Sequence, residues 1–213
     1  PLPEGVDAEQ AVATLHTAGT AHLGLVREAR LQPGETLVVE GAAGGVGSAV
    51  VQMARHMGAR IIATAAPRDA DWCRACGAET VIDYHDEQLD ARIRQAAPAG
   101  VDVWWDTSGR NALARSLALM ALGGRIVIMS GLGGGDAALP VGALYTRDVS
   151  LHGFAISNAS VADLAAAARH TNALLAAGRL RSRIGARYPL AEAAAAHRAL
   201  ASGTVRGRIL VLP

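Results

Sequence analysis

The chain has 213 residues, 51% of them hydrophobic and 18% charged. That composition excludes an intrinsically disordered chain, and the length supports a packed core without metal or disulfide staples. A formal net charge of +1, from 20 basic against 19 acidic residues, speaks against nucleic acid or an anionic membrane as the main partner.

Read in chain order, Asp7 is a start signal for a helix from about Ala8 to Arg30, which ends at the turn Gln32-Pro33-Gly34. An apolar run follows, Thr36 to Glu40. A glycine-rich turn, Gly41 to Gly47, leads into a helix that runs to Met57 and is closed by Gly58. The next strand is Arg60 to Thr64, and a helix from about Asp69 ends at Gly77. Thr80 to Ile82 is a strand, Asp86 to Ala97 a helix and Val101 to Trp105 a strand. Asn111 to Leu122 reads as a helix, Arg125 to Met129 as a strand, Gly131 to Gly135 as a flexible run and Val149 to Phe154 as a strand. An Ala-rich helix then spans about Ser160 to Ala177. The tail holds a β-like run (Arg183 to Tyr188), a helix (Leu190 to Ala201) and a last strand (Arg208 to Leu212).

Strands alternating with helices of this length predict right-handed βαβ units and a parallel sheet covered on both faces. The fold class is therefore α/β, a doubly wound parallel sheet of the Rossmann type. No run of about 18 apolar residues is present, so no transmembrane helix is predicted. The opening Pro1-Leu2-Pro3-Glu4-Gly5 has no charged-then-apolar leader, and it reads as a chain entered partway through something longer.

Every basic residue is Arg. The absence of Lys removes Schiff-base chemistry, a P-loop lysine and a lysine general acid. Cys73 and Cys76 are the only cysteines, which excludes a secreted disulfide framework and predicts a reducing, cytoplasmic setting. As a lone CxxC they lack the further ligands that zinc needs, and they read as inert thiols. The seven His residues show no metal spacing. Neither a Gly-x-Ser-x-Gly elbow nor a carboxylate pair placed for acid–base work is visible. Trp104-Trp105 reads as core.

The chemistry resides in Gly41-Ala42-Ala43-Gly44-Gly45-Val46-Gly47, which follows a strand and opens a helix. Glycines permit the tight turn and let the backbone approach a pyrophosphate. The helix start offers free N–H groups and the positive dipole end. Folds that bind NAD place an acid about 20 residues further on, to hold the ribose 2′-hydroxyl. Here that stretch reads Ala63-Thr64-Ala65-Ala66-Pro67-Arg68. A guanidinium suits a 2′-phosphate, so Arg68 predicts NADPH; the alternative is a solvated residue at a helix start. Asp69, the nearest acid, reads as the cap of the next helix. Tyr84 is placed to flank the adenosine end, or is an exposed loop aromatic. Asp106 to Gly109 and Ser130-Gly131 lie at strand C-termini, where ligands bind in open sheets, or are ordinary turns.

Taken together, Leu31-Gln32-Pro33-Gly34-Glu35-Thr36, the glycine loop, Met57-Gly58-Ala59, Cys76 to Tyr84, Gly123 to Val127, Tyr188 to Ala193 and Gly207 to Val211 resemble the medium-chain dehydrogenase/reductase superfamily. The match is strongest to its zinc-independent quinone oxidoreductases. The resemblance implies NADPH-dependent hydride transfer to a quinone, enone or similar activated alkene. It implies cofactor contacts at Gly44, Gly45 and Val46 for the pyrophosphate, Arg68 and Tyr84 for the 2′-phosphate, and Thr20, Ser130 and Gly131 near the nicotinamide. No catalytic residue carries over, and no metal is implied.

Roughly the first third of a family member is absent. By resemblance, residues 1–180 form the dinucleotide-binding domain with its leading helices, and 181–213 are a remnant of the GroES-like catalytic domain. His22 stands where the family often has Tyr. An enoyl reductase module of a fatty-acid or polyketide synthase is a second reading, although that group usually has Gly-Lys where Met129-Ser130-Gly131-Leu132 stands. A non-catalytic NADPH-binding module is a third. The resemblance also implies a homodimer through the edge strand near Val149–Phe154.

Overall fold

The computed structural model describes residues 2–132 and 136–213. Six strands form one parallel sheet: β1 (Thr36–Glu40), β2 (Arg60–Ala65), β3 (Thr80–Asp83), β4 (Val101–Asp106), β5 (Met120–Ile128) and β6 (Ser150–Gly153). Their order is β3-β2-β1-β4-β5-β6. The chain winds outward from β1, then crosses back to place β4 on its other side. A crevice opens above the C-terminal ends of β1 and β4, where a doubly wound sheet binds its ligand.

Side chains alternate across this sheet with period two. Leu37, Val39, Trp105 and Val127 face one layer, formed by α1 (Ala8–His22), α2 (Gly45–His56), α3 (Ala70–Cys76) and α7 (Val161–Ala176). Val38, Ile62, Trp104 and Ile126 face the other, which holds α4 (Leu89–Ala96), α5 (Leu113–Leu119) and the short α6 (Val141–Tyr145). Trp104 and Trp105 are fully buried on opposite faces. α7 starts at a capping box: the Ser160 hydroxyl accepts from Asp163 N, and Ser160 N donates to the Asp163 carboxylate.

The first helix does not run on to Arg30 as a single α-helix. It becomes a π-helical turn over Leu23–Glu28, with Ala29 N donating to Gly24 O. The cause is packing. A Cβ at Gly24 would lie 2.1 Å from the Trp105 ring, and the wider turn lets Leu23 and Leu25 bury on either side of that contact. β5 begins at Met120 rather than Arg125, because Met120 pairs with Val101 before a register shift; the helix predicted over Asn111–Leu122 shrinks to α5. The flexible run predicted over Gly131–Gly135 lies in part on residues 133–135, outside the described residues. β6 is an outer strand whose free edge pairs with no strand among the described residues.

The tail folds back on α1. β7 (Ile184–Pro189) and β8 (Arg208–Leu212) make a separate two-stranded parallel sheet, with α8 (Ala193–Ala201) between them in sequence. Polar ties fix the entry to it. The Gln52 side chain both donates to Arg181 O and accepts from Arg181 N, and Gln10 does the same with Ser182.

Candidate cofactor site

The glycine loop joins β1 to α2. Gly44 is the N-cap of α2, and no side chain caps that end. The first N–H groups of the helix are therefore free to receive an anion, with the dipole behind them. Gly47 is where the loop folds back on itself: a Cβ there would lie 2.2 Å from the Gly41 carbonyl oxygen. Gly41 itself takes φ +75° beneath Thr107, whose hydroxyl donates to Glu40 O at 2.7 Å.

A cavity of about 370 Å³ lies over this loop. Its walls bring together Gly44, Gly45, Val46, Arg68 and Tyr84, with Asp69 and Thr107 beside them. Five of the eight residues singled out in the sequence thus share one groove. The Arg68 side chain is 66% exposed, and its nearest carboxylate contact is Asp69 at 3.9 Å. Asp69 does not cap α3 with its side chain, contrary to the sequence expectation. Its carboxylate is instead drawn to Arg183 Nη1 at 2.9 Å and Arg206 Nη1 at 3.8 Å. Tyr84 lies under the Arg110 guanidinium, 4.9 Å from ring centroid to Cζ.

The remaining three residues stand apart from this groove. Thr20 is buried in α1, and its hydroxyl donates to His16 O at 2.9 Å. Thr17, one turn earlier, is the α1 residue that meets the loop, with Cγ2 3.2 Å from a Cβ built on Gly45. Ser130 and Gly131 follow β5, where the Asn111 side-chain amide donates to Ser130 O at 3.1 Å. Ser130 Oγ and Asn111 Oδ1 are both buried without a hydrogen-bond partner among the described residues. Buried polar atoms left unpaired in this way are uncommon, and these two lie beyond the C-terminal ends of β4 and β5.

Two participants escaped the sequence reading. Arg208 on β8 extends to the loop, with Nη1 3.4 Å from a Cβ built on Gly45. No local signal marks it, since it lies 163 residues from Gly45 in sequence. Asn111 carried none either; its left-handed backbone, φ +47°, is a conformation that Asn tolerates and that only the structure shows.

Cys73 and Cys76 are free and buried, and burial pushes their thiols up to about 11 and about 12, so they are poor nucleophiles. The histidines read as separate are not all so. His22 Nδ1 and His170 Nδ1 stand 2.8 Å apart between α1 and α7. Among the described residues, no cluster of three or more His, Cys, Asp or Glu side chains is arranged to hold a metal ion, and no helix is long and apolar enough to cross a membrane.

A dinucleotide fits these residues: an uncapped helix start for the pyrophosphate, a largely free guanidinium at the ribose end and orphaned polar atoms at the far end. Comparison with known proteins agrees. The sequence profile of the zinc-binding dehydrogenase family matches residues 45–172. A quinone oxidoreductase of Pseudomonas aeruginosa is 33% identical over 218 residues, covering the whole chain and 67% of that relative. The spectinabilin polyketide synthase system protein NorB of Streptomyces orinoci is 35% identical over 99% of the chain, which corresponds to 10% of that much longer protein. A mycobacterial quinone oxidoreductase structure superimposes on the whole chain with a TM-score of 0.91 at 27% identity, using 67% of its length. The Thermus thermophilus quinone oxidoreductase, solved also with NADPH, gives 0.87 at 34% identity over the whole chain and 69% of its own length. The chain thus spans about two thirds of its quinone oxidoreductase relatives and about a tenth of the synthase relative. It belongs to the zinc-binding dehydrogenase family within the medium-chain dehydrogenase/reductase superfamily, and its Rossmann fold is that of the family's quinone oxidoreductases.

Proposed function

We propose that this chain is the cofactor-holding part of an NADPH-dependent reductase that delivers hydride to a quinone, enone or similar electron-poor alkene. One observation carries the reading: the uncapped start of α2 and the exposed Arg68 guanidinium line the same groove, and the carboxylate in its wall, Asp69, is engaged by Arg183. In this reading Gly44, Gly45 and Val46 hold the pyrophosphate with backbone N–H groups, and Arg208 adds a charge beside Gly45. Arg68 and Tyr84 receive the 2′-phosphate. Thr20, Ser130 and Gly131 serve the nicotinamide end, where the Ser130 hydroxyl gains its missing partner.

When bound, NADPH supplies the hydride; the protein supplies position and electrostatics. Residues 1–180 form the binding domain and 181–213 belong to a second, substrate-side domain. The separate β7–β8 sheet supports that division. The other wall of the substrate cleft comes from chain outside these residues, and closure of that cleft excludes water.

The polyketide synthase relatives favour one second reading, an enoyl reductase module acting on a carrier-bound enoyl thioester. Oxidation of NADPH by a generic quinone rather than by an enoyl thioester separates the two, and binding without turnover of either marks a purely nucleotide-binding module. The cofactor reading is tested by calorimetry with NADPH and NADH. Arg68→Ala removes a charge-assisted hydrogen bond of about 1.5–3 kcal/mol, so the preference for NADPH is expected to fall roughly 10- to 100-fold. Equal affinity for both nucleotides in the unaltered chain overturns the assignment of NADPH.

A further inference from the structure

Glu40 and Asp106 end the adjacent strands β1 and β4, directly opposite each other in the parallel register. Strand alternation puts both on the α4/α5 face, above Val38 and Trp104. They are 7% and 3% exposed. Two carboxyl groups are thus buried side by side at the floor of the crevice. Asp106 is committed as an acceptor, since its Oδ1 receives Ser108 N at 2.6 Å. The Asp106 carboxyl and the Trp104 indole are neighbours that act on the Glu40 carboxyl. Arg115 on α5 is the cation that opposes their charge, and its guanidinium is already engaged by Asp90 of α4 at 2.9 Å. Burial first, and the Asp106 charge second, raise Glu40 from the ordinary carboxylate range to about 7.

A second cavity, of about 250 Å³, opens on the Glu40 side of this pair. Glu40, Tyr84, Ser108, Arg110 and Arg115 are among its walls. It shares Gly41, Thr64 and Tyr84 with the glycine-loop groove, so the two spaces adjoin. A dinucleotide with its pyrophosphate on the loop and its 2′-phosphate at Arg68 has this cavity as the adjoining space for its base.

We propose that Glu40 is a positioning residue for the nucleotide base, holding the single proton of the Glu40–Asp106 pair, so that nucleotide binding and proton uptake are coupled. The inference rests on the nucleotide reading above. The physical reason is twofold. A bound nucleotide displaces water from the cavity and brings phosphate charge nearby, and both disfavour a second carboxylate below it. The acid form of Glu40 offers an O–H to a ring nitrogen and a carbonyl oxygen to an exocyclic amine, whereas the ionised form only accepts. The charged and titratable groups around it are Asp106 on β4, Arg115 on α5 with Asp90 on α4, Tyr84 after β3 and Arg110 after β4. Arg115 is the cation among them that acts to hold Glu40 ionised.

The sign follows from linkage. Binding that raises the Glu40 value by about one unit makes affinity about tenfold weaker once pH has passed above both values. Calorimetry from pH 6 to 9, in buffers of differing ionisation enthalpy, reads both affinity and proton uptake. NADH, which lacks the 2′-phosphate, serves beside NADPH so that titration of that phosphate is not mistaken for titration of the carboxyl pair. The expected result is proton uptake near neutral pH with both nucleotides, and an affinity that falls about tenfold toward pH 9. Glu40→Gln, with folding checked by circular dichroism, is expected to bind without uptake and with a flat profile. Asp106→Asn, which keeps the acceptor for Ser108 N but removes the charge, is expected to move the midpoint to lower pH. A flat profile in the unaltered chain, or an unchanged one in Glu40→Gln, overturns the proposal. A folded chain that binds neither nucleotide at any pH overturns the nucleotide reading itself, a result distinct from binding without proton linkage.

Discussion

Asp69 accepts a hydrogen bond from Arg183 Nη1 at 2.9 Å, across 114 residues of sequence. The contact ties the rim of the glycine-loop groove to the start of the C-terminal segment. Arg206 Nη1 stands 3.8 Å from the same carboxylate and also donates to the Arg68 carbonyl at 3.3 Å. The Asp69 side chain is 12% exposed, so the pair is shielded more than a surface bridge. With its carboxylate held by Arg183, Asp69 leaves the Arg68 guanidinium available to an anion.

Asp69→Asn is accordingly expected to destabilise the chain by about 1–3 kcal/mol, because it weakens a charge-assisted bond and leaves Arg183 with less compensation. Urea unfolding measures this. An unchanged midpoint would show that the tail does not depend on the contact.

Gly47 is the glycine with least room in the loop. A Cβ there meets Gly41 O at 2.2 Å and Ala42 Cα at 2.8 Å, both of them backbone atoms. Gly47→Ala must displace the loop from α2. The expected effects are a stability loss of about 1–3 kcal/mol and at least a tenfold loss of NADPH affinity, read by calorimetry. Gly142→Ala in α6 is the control: nothing lies within 4 Å of its Cβ, and it is expected to change neither.

His22 and His170 face each other between α1 and α7 with both values lowered, mainly by burial. The His170 charge further lowers His22, Asp163 partly opposes that, and His56 lowers His170. A lowered value in the folded state means that the chain resists protonation on folding. The stability this contributes is present above the ordinary histidine range, near 6.5, and is lost as pH falls through the folded values. Thermal unfolding is expected to show a falling midpoint from about pH 6.5 downward, with a shallower fall in His170→Gln. Identical pH profiles would refute the coupling.

The alternation of strands and helices was legible because it is written in local periodicity, and the glycine loop because its spacing is a local requirement of one turn. The helix start at Asp7 is a local cap as well: its side chain accepts from Glu9 N. The π turn at Leu23–Glu28 was not legible. It exists because Gly24 meets Trp105, which arrives from a strand far along the chain. The early start of β5 likewise depends on Met120 finding Val101.

For the candidate site, the sequence by itself determined the uncapped helix start and the guanidinium that follows β2, since each is set by residues within one βαβ unit. Only the tertiary structure decided that Arg208 extends to Gly45, that Asp69 turns to Arg183 rather than to its own helix, that His22 meets His170, and that Glu40 lies buried against Asp106. These are contacts between elements distant in sequence. Packing sets their distances, and burial lowers the two histidines and raises Glu40.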